Sequence, residues 1–121
     1  MASANGVSIV IEKSQVSHGE EVHGRINLTF PGRFDSIVIN SNIENSNDTF
    51  AFTSINGTRI NHSYARFSIL RDDIGDSKTL EFAARTEHTP ISEYTNAKFR
   101  VAVIQEHKEV ASDLAFVRIS R

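Results

Sequence analysis

The stretch Val16–Phe30, VSHGEEVHGRINLTF, decides the fold class because its side chains repeat with a period of two. From Val22 onward, apolar residues or glycine alternate with polar residues, so each set points to one side of an extended strand. The apolar set consists of Val22, Gly24, Ile26, Leu28 and Phe30. The polar set consists of His23, Arg25, Asn27 and Thr29. Such alternation is typical of a strand with one buried and one solvated face.

The two glycines of this stretch have different predicted roles. Gly19 supplies the backbone freedom of a tight turn, and the neighbouring Glu20 and Glu21 are expected to be solvated turn acids. Gly24 lies on the apolar side, where a side chain would normally pack. Because glycine weakens a strand, it often marks a close approach by another side chain. We therefore expect one of the eight phenylalanines to lie across Gly24.

The period of two continues through the rest of the chain and predicts about seven or eight strands. They are expected at 7–11, 22–30, 34–43, 49–55, 64–70, 80–84, 97–105 and 110–119. Asn56-Gly57 is a strong hairpin signal, because both residues tolerate the positive φ of a type I′ turn. In the last strand the apolar residues change phase between Phe116 and Val117, which predicts either a bulge or burial on both faces.

The strand pattern favours an all-β, antiparallel, immunoglobulin-like sandwich, with a closed barrel as the alternative. The longest helix expected is one turn within 72–76. A chain of 121 residues with 39% apolar and 23% charged residues fits a single globular domain over residues 1–121. We find no repeat and no compositional boundary in it.

Composition excludes several classes of function. The net charge of −2 has both signs interspersed, so no basic surface for nucleic acid is predicted. No apolar run approaches the ~20 residues that span a bilayer, so direct membrane insertion is not expected. The chain has no cysteine, which excludes thiol catalysis, disulfides and zinc–thiolate sites. The missing cysteines and the absence of a recognisable signal peptide lead us to expect a cytoplasmic protein.

No motif for catalysis or cofactor binding is present, so the chain is expected to be non-enzymatic and to need no cofactor. His18 and His23 flank one turn, but neither H-x-H nor HExxH spacing occurs, and solvated histidines are preferred over a metal site. The other three histidines, His62, His88 and His107, are expected at the surface in or beside turns.

Two further polar patterns have competing interpretations. The run 72–76, DDIGD, has the wrong spacing for an EF-hand and is interpreted as an acidic turn rather than a calcium loop. Four N-x-[ST] sequons begin at Asn27, Asn47, Asn56 and Asn61. In a secreted protein they would indicate a glycosylated surface, whereas without a signal peptide we interpret them as chance matches.

Two stretches resemble the arrestin-like fold family, which includes arrestins, a retromer subunit and bacterial sporulation-control proteins. The stretch 7–28 is similar to the family's PGE-x-V-x-G-x-V-x-L run, with His18 in place of the usual proline. Its matching residues are Gly19, Glu20, Val22, Gly24, Ile26 and Leu28. The stretch 89–104 is similar to a later passage of the family. Its matching residues are Pro90, Ser92, Phe99, Val101 and Val103.

The resemblance implies a β-sandwich that acts as a protein-interaction or scaffold module, with trafficking or assembly at membranes as the implied setting. The partner is expected to be a protein of unknown identity, bound at the exposed edge of the first strand. The candidate edge residues are Val7, Ile9, Ile11 and Lys13. An edge strand offers unpaired backbone groups, so a homo-oligomer through such a strand is also possible. The alternative function is an extracellular immunoglobulin-like domain in adhesion or surface assembly.

Overall fold

Two five-stranded β-sheets form the framework of the computed structural model, which describes residues 6–75 and 78–121. The strands are β1 (Val7–Ile11), β2 (Gln15–Ser17), β3 (Val22–Leu28), β4 (Ser36–Ile43), β5 (Ala51–Ile55), β6 (Thr58–His62), β7 (Arg66–Leu70), β8 (Thr79–Arg85), β9 (Tyr94–Gln105) and β10 (Lys108–Ser120). One helical turn, α1 (Arg71–Ile74), follows β7. The predicted all-β fold and the single helical turn are therefore confirmed.

The first sheet has the strand order β1-β3-β8-β5-β6, and the second has the order β2-β10-β9-β4-β7. Neighbouring strands are antiparallel, except that β2 runs parallel to β10. The N-terminal segment thus contributes β1 to one sheet and β2 to the other. This arrangement confirms the predicted sandwich of antiparallel sheets.

The structure has ten strands, two more than the higher of the predicted numbers. The added β2 has only three residues, which is too short to show a period. The Asn56-Gly57 turn is confirmed, with φ of 49° and 82°. It leads directly into β6, and the chain then crosses to the second sheet to form β7. A single strand had been predicted after this turn, at 64–70.

A single cluster of buried apolar side chains lies between the sheets. In β3, Val22, Ile26 and Leu28 are buried while His23 and Arg25 are exposed, as the alternation predicts. Each buried aliphatic or aromatic side chain of this kind stabilises the fold by roughly 1.5–3 kcal/mol. The matched burial along β3 therefore sets its register, because a slip by one residue would expose the whole apolar set.

Gly24 makes the predicted close contact with a phenylalanine. A Cβ atom at Gly24 would lie 2.4 Å from Cζ of Phe82, which is closer than side-chain carbons approach. Phe82 is buried and packs on Phe52 and Phe99, with ring centroids 6.0 and 5.4 Å away. The missing side chain of Gly24 therefore leaves room for the central ring of the aromatic core.

The predicted irregularity between Phe116 and Val117 in β10 is wrong. Both residues pair in uninterrupted register with β9, and the register shift lies between Glu109 and Ala111. Val117 is buried, whereas Phe116 is 64% exposed on the solvent side of the second sheet. The phase of the apolar pattern changes because a phenylalanine faces solvent, and neither a bulge nor two-sided burial is involved.

Candidate functional site

The first strand, predicted as the interaction edge, does lie at the outer edge of the first sheet. The side chains of Val7 and Ile9 point into the core and are 0% and 5% exposed, and Ile11 is half-buried. Lys13 lies beyond the strand, where its ammonium group pairs with Glu20. A partner strand could therefore reach only the backbone of these residues, together with the Lys13 side chain.

The middle of the β1 edge is already occupied by a side chain of the opposite sheet. The Glu12 N–H donates to the His23 carbonyl of β3, so the even-numbered residues of β1 hydrogen-bond to β3. Because bonded positions alternate in an antiparallel ladder, the N–H of Ile9 faces outward. This N–H donates to Oδ2 of Asp113 in β10, at 2.9 Å. A strand that paired along β1 would have to displace Asp113 and leave its carboxylate without this donor.

The solvent face of the second sheet carries an exposed patch that the sequence did not predict. We define the β10 patch as Tyr94, Lys98, Leu114, Phe116 and Arg118. Cross-strand pairing places Phe116 opposite Lys98. Leu114 is 40% exposed and lies two residues before Phe116 on the same face. Two large apolar side chains thus face solvent side by side in the middle of a regular strand.

The cationic side chains of the β10 patch are available to a partner. The guanidinium of Arg118 lies 4.0 Å from the ring centroid of Tyr94, a cation–π geometry that holds both side chains in place. In the described part of the chain, Lys98 and Arg118 form no ion pair with an acidic side chain. The patch therefore combines apolar and basic character in a chain whose net charge is −2.

The sheet surface beside the β10 patch is formed by apolar residues that pair across β4 and β9. Val38 and Ala102 lie opposite each other on the solvent side of the sheet, and each is only 3% exposed. Nearby, Arg100 forms a two-bond pair with Glu109. These hydrogen bonds lower the pKa of Glu109 and raise the pKa of Arg100, so both groups stay charged at neutral pH. Adjacent to Phe116, a cavity of ≈ 300 Å³ extends toward Asn42.

A polar cluster around His88 was missed by the sequence analysis. His88 was predicted at the surface but is 9% exposed, and its ring bridges two side chains. Nδ1 lies 2.8 Å from Oδ2 of Asp48, and Nε2 lies 3.1 Å from Oγ1 of Thr95. The backbone N–H of His88 donates to Oγ1 of Thr86. The backbone carbonyl of His88 accepts a hydrogen bond from Nδ1 of His18 at 2.8 Å.

The His88 cluster joins segments that are far apart in the chain. Asp48 comes from the β4–β5 connection, His88 from the β8–β9 connection, and Thr95 from the start of β9. An aspartate, a histidine and a hydroxyl in this order are also the groups of a catalytic triad, in which the histidine takes the hydroxyl proton and the aspartate orients its ring. The Asp48 side chain is 59% exposed, however, and Nδ1 also lies 3.4 Å from Oγ of Ser46. The geometry favours a cross-link between loops. The sequence signal nearest to this cluster is the polar run ENSND at 44–48, which contains Ser46 and Asp48.

The remaining histidines lie apart from one another. His23 is exposed and lies 3.3 Å from Glu21, while His18 contacts His88. His62 is half-buried against Phe67, and its Nε2 donates to the Arg66 carbonyl at 2.6 Å. Among the described residues, no group of three or more His, Cys, Asp or Glu side chains is placed to hold a metal ion.

The acidic run and the sequons lie at the surface. Asp72 and Asp73 are exposed in α1, whereas Asp76 lies outside the described residues. The sequon asparagines Asn47, Asn56 and Asn61 are exposed, and Asn27 is half-buried. The Oδ1 atom of Asn56 accepts the backbone N–H of Glu81 at 2.8 Å, so this side chain already has a structural role. No helix in the described residues is both long and apolar enough to cross a membrane.

Sequence comparison identifies no relative, since neither a family model nor a curated protein matches the chain. Solved structures resemble it in fold. The CFA/I adhesin CfaE of enterotoxigenic E. coli has a TM-score of 0.61 at 8% identity, over 96% of this chain and 48% of that one. A conjugative transposon lipoprotein of Bacteroides eggerthii has a TM-score of 0.55 at 10% identity, over 98% of this chain and 100% of that one. The N-terminal domain of a Streptococcus gordonii adhesin has a TM-score of 0.53 at 10% identity, over 99% of this chain and 33% of that one.

These likenesses establish the sandwich fold of the chain. The chain spans about half of the adhesin structure from E. coli and a third of the one from S. gordonii. At 8% to 10% identity, they say nothing about which residues act.

Proposed function

We propose that this chain is a non-enzymatic protein-binding module that contacts its partner through the β10 patch. The observation that carries the proposal is the 64% exposure of Phe116 in the middle of a regular strand, beside the exposed Leu114. Large exposed apolar side chains that are surrounded by polar residues mark interaction sites in soluble proteins. Aromatic and arginine side chains are also the groups that contribute most to binding at interfaces.

The composition of the patch specifies the chemistry of the partner. Lys98 and Arg118 flank Phe116, so a complementary surface would offer an apolar pocket bordered by aspartate or glutamate. The solvent face of the first sheet is different, because Arg25 there is paired with Glu81 at 3.0 Å. On the second sheet, by contrast, Lys98 and Arg118 form no ion pair with an acidic side chain of the described residues.

Two biological settings fit a module of this kind. The resemblance to the arrestin-like family supports an intracellular scaffold, and it rests on the stretches 7–28 and 89–104. The fold likeness to two bacterial adhesins and a lipoprotein supports the alternative, a surface-assembly domain. Glycosylation at the exposed sequon asparagines Asn47 or Asn61 in the native protein would favour the extracellular setting. Unmodified asparagines in a protein from the cytoplasm would favour the scaffold.

The proposal is tested by a matched pair of substitutions on opposite faces. Phe116→Asp places an acid in the patch, and Val10→Asp places one at a 55% exposed position on the first sheet. Each tagged variant is used for affinity capture from the source cells, with mass spectrometry of the bound proteins. Partners retained by wild type and by the Val10 variant should be lost from the Phe116 variant.

Partners retained by all three proteins would contradict a role for the patch. Both substitutions are at exposed positions, so far-UV circular dichroism should show that each variant keeps the fold.

A further inference from the structure

The two sheets end in four outer strands, β1, β2, β6 and β7, of which three are poorly suited to pairing with another chain. The middle of β1 is capped by Asp113, and β2 has only three residues. Next to β6, the register of the β5–β6 ladder shifts between Phe52 and Ser54. Such an irregularity twists an edge away from a flat pairing geometry. The fourth outer strand, β7, pairs with β4 over five residues without any shift.

The backbone of β7 presents an edge that is open except at the Arg66 carbonyl, which the His62 ring occupies. Two hydrogen bonds of the β4–β7 ladder show which residues of β7 bond to β4. The Ser41 N–H donates to the Ala65 carbonyl, and the Arg71 N–H donates to the Asp35 carbonyl. In an antiparallel ladder the bonded positions alternate, so the even-numbered residues of β7 direct their backbone groups outward. These residues are Arg66, Ser68 and Leu70. The Arg66 carbonyl accepts from His62, while Ser68 lies at the centre of the edge.

Opposite charges lie at the two ends of this edge. Arg66 begins the strand and is exposed, and Asp72 and Asp73 are exposed in the turn that follows it. Leu70, between them, is 61% exposed. Within the described residues, neither Arg66 nor the two aspartates take part in an ion pair. The edge is therefore basic at its N-terminal end, and its C-terminal end carries Asp72 and Asp73 beside Arg71, whose guanidinium packs on the Phe34 ring.

We propose that β7 pairs with β7 of a second copy of this chain, antiparallel and centred on Ser68. In that register Arg66 of each copy lies opposite Leu70 of the other, whose N–H would replace the His62 ring on the Arg66 carbonyl. Asp72 of the other copy lies close by, in the helical turn that follows Leu70. Two-fold symmetry repeats the attraction between Arg66 of one copy and Asp72 of the other at both ends of the pairing. A parallel pairing would instead place like charges together. The result is one continuous ten-stranded sheet across the dimer. The pairing uses none of the residues of the β10 patch, so the two proposals can fail separately.

Charge reversal tests the pairing with the full chain. In a dimer of the Arg66→Glu variant, the new glutamate repels Asp72 of the other copy at both contacts. In a dimer of the Asp72→Lys variant, the new lysine repels Arg66 of the other copy. Each variant alone should dimerise about tenfold more weakly than wild type. A mixture of the two variants places every acid next to a base and should restore the dimer. Sedimentation velocity over a concentration series measures each association.

The double variant R66E/D72K provides a second measurement. It should dimerise with itself, because its charges are exchanged, but should not pair with wild type. Lys108→Glu, at an exposed position on the same sheet but away from the edge and outside the β10 patch, is the matched control and should dimerise as wild type does. A wild-type chain that stays monomeric at about 1 mM would overturn the proposal. So would single variants that dimerise as strongly as wild type.

Discussion

At the residue scale, Gly24 shows how an absent side chain specifies packing. Phe82 occupies the space above Gly24 and contacts the rings of Phe52 and Phe99. Because interiors pack at near-crystalline density, a new methyl group here has no free volume to enter. The glycine therefore stays in an otherwise regular strand despite the conformational entropy that it costs.

We expect Gly24→Ala to destabilise the protein by about 1–2 kcal/mol. Overpacking of a core costs roughly 1–3 kcal/mol, and part of this is offset by the better strand propensity of alanine. Urea unfolding followed by circular dichroism measures the change. In the background of Phe82→Leu, which removes the clashing ring, the same substitution should cost much less. An equal cost in both backgrounds would mean that Phe82 is not the reason for the glycine.

At the scale of elements, the β9–β10 hairpin combines a long, regular ladder with an unfavourable turn. Glu106 and His107 connect the strands with φ of 50° and 67°, the conformation of a type I′ turn. Glutamate does not favour the left-handed region, which costs roughly 1–2 kcal/mol per ordinary residue, and histidine tolerates it less well than glycine does. The predicted strands at 97–105 and 110–119 require a turn between them, but the type of that turn depends on the twist of the two strands that it joins.

Replacing the turn by Asn-Gly, through E106N and H107G, should stabilise the protein by about 1 kcal/mol because both new residues accept positive φ. Asn56-Gly57 already shows this turn in the β5–β6 hairpin. The measurement is the midpoint of urea or thermal unfolding. The reciprocal change Gly57→Ala, at φ of 82° in open space, is the control and should destabilise through the backbone alone. An unchanged midpoint for the Asn-Gly variant would show that the Glu106 turn carries no strain.

At the scale of the whole molecule, the His88 cluster ties the β4–β5 and β8–β9 connections together at one end of the sandwich. The hydrogen bond from His88, followed by that from Ser46, lowers the pKa of Asp48 below its usual 3.8. A lowered carboxyl pKa means that the folded state binds this proton less readily than the unfolded state. The contribution of Asp48 to stability is therefore fully present above pH 3.8 and is lost as the pH falls through the lower, folded-state pKa.

We expect Asp48→Asn to lower the free energy of unfolding at pH 7 and to have progressively less effect below pH 3.8. The measurement is urea unfolding of wild type and variant at several pH values. Glu12→Gln is the matched control, because it removes an exposed carboxylate that forms no ion pair among the described residues. A difference between wild type and the Asp48 variant that is constant from pH 7 to strongly acidic pH would rule out the interaction with His88.

By itself, the sequence determined the class of the fold and much of its local structure. The period of two identified β3, and Asn56-Gly57 identified a hairpin, because alternation and turn preference are properties of neighbouring residues. Gly24 indicated a close contact through the same pattern, and Phe82 makes that contact. Such features need no knowledge of which strands pair.

Only the tertiary structure decided which surfaces remain available. Phe116 could be placed on the solvent side only once its register with β9 was known, since an apolar side chain normally predicts burial. In the same way, Asp113 caps β1 and Asp48 reaches His88 across 104 and 40 positions of sequence. Contacts over such separations depend on how the two sheets pack, and no local pattern encodes them. The β10 patch and the β7 edge are therefore consequences of packing and pairing that the strand pattern alone does not contain.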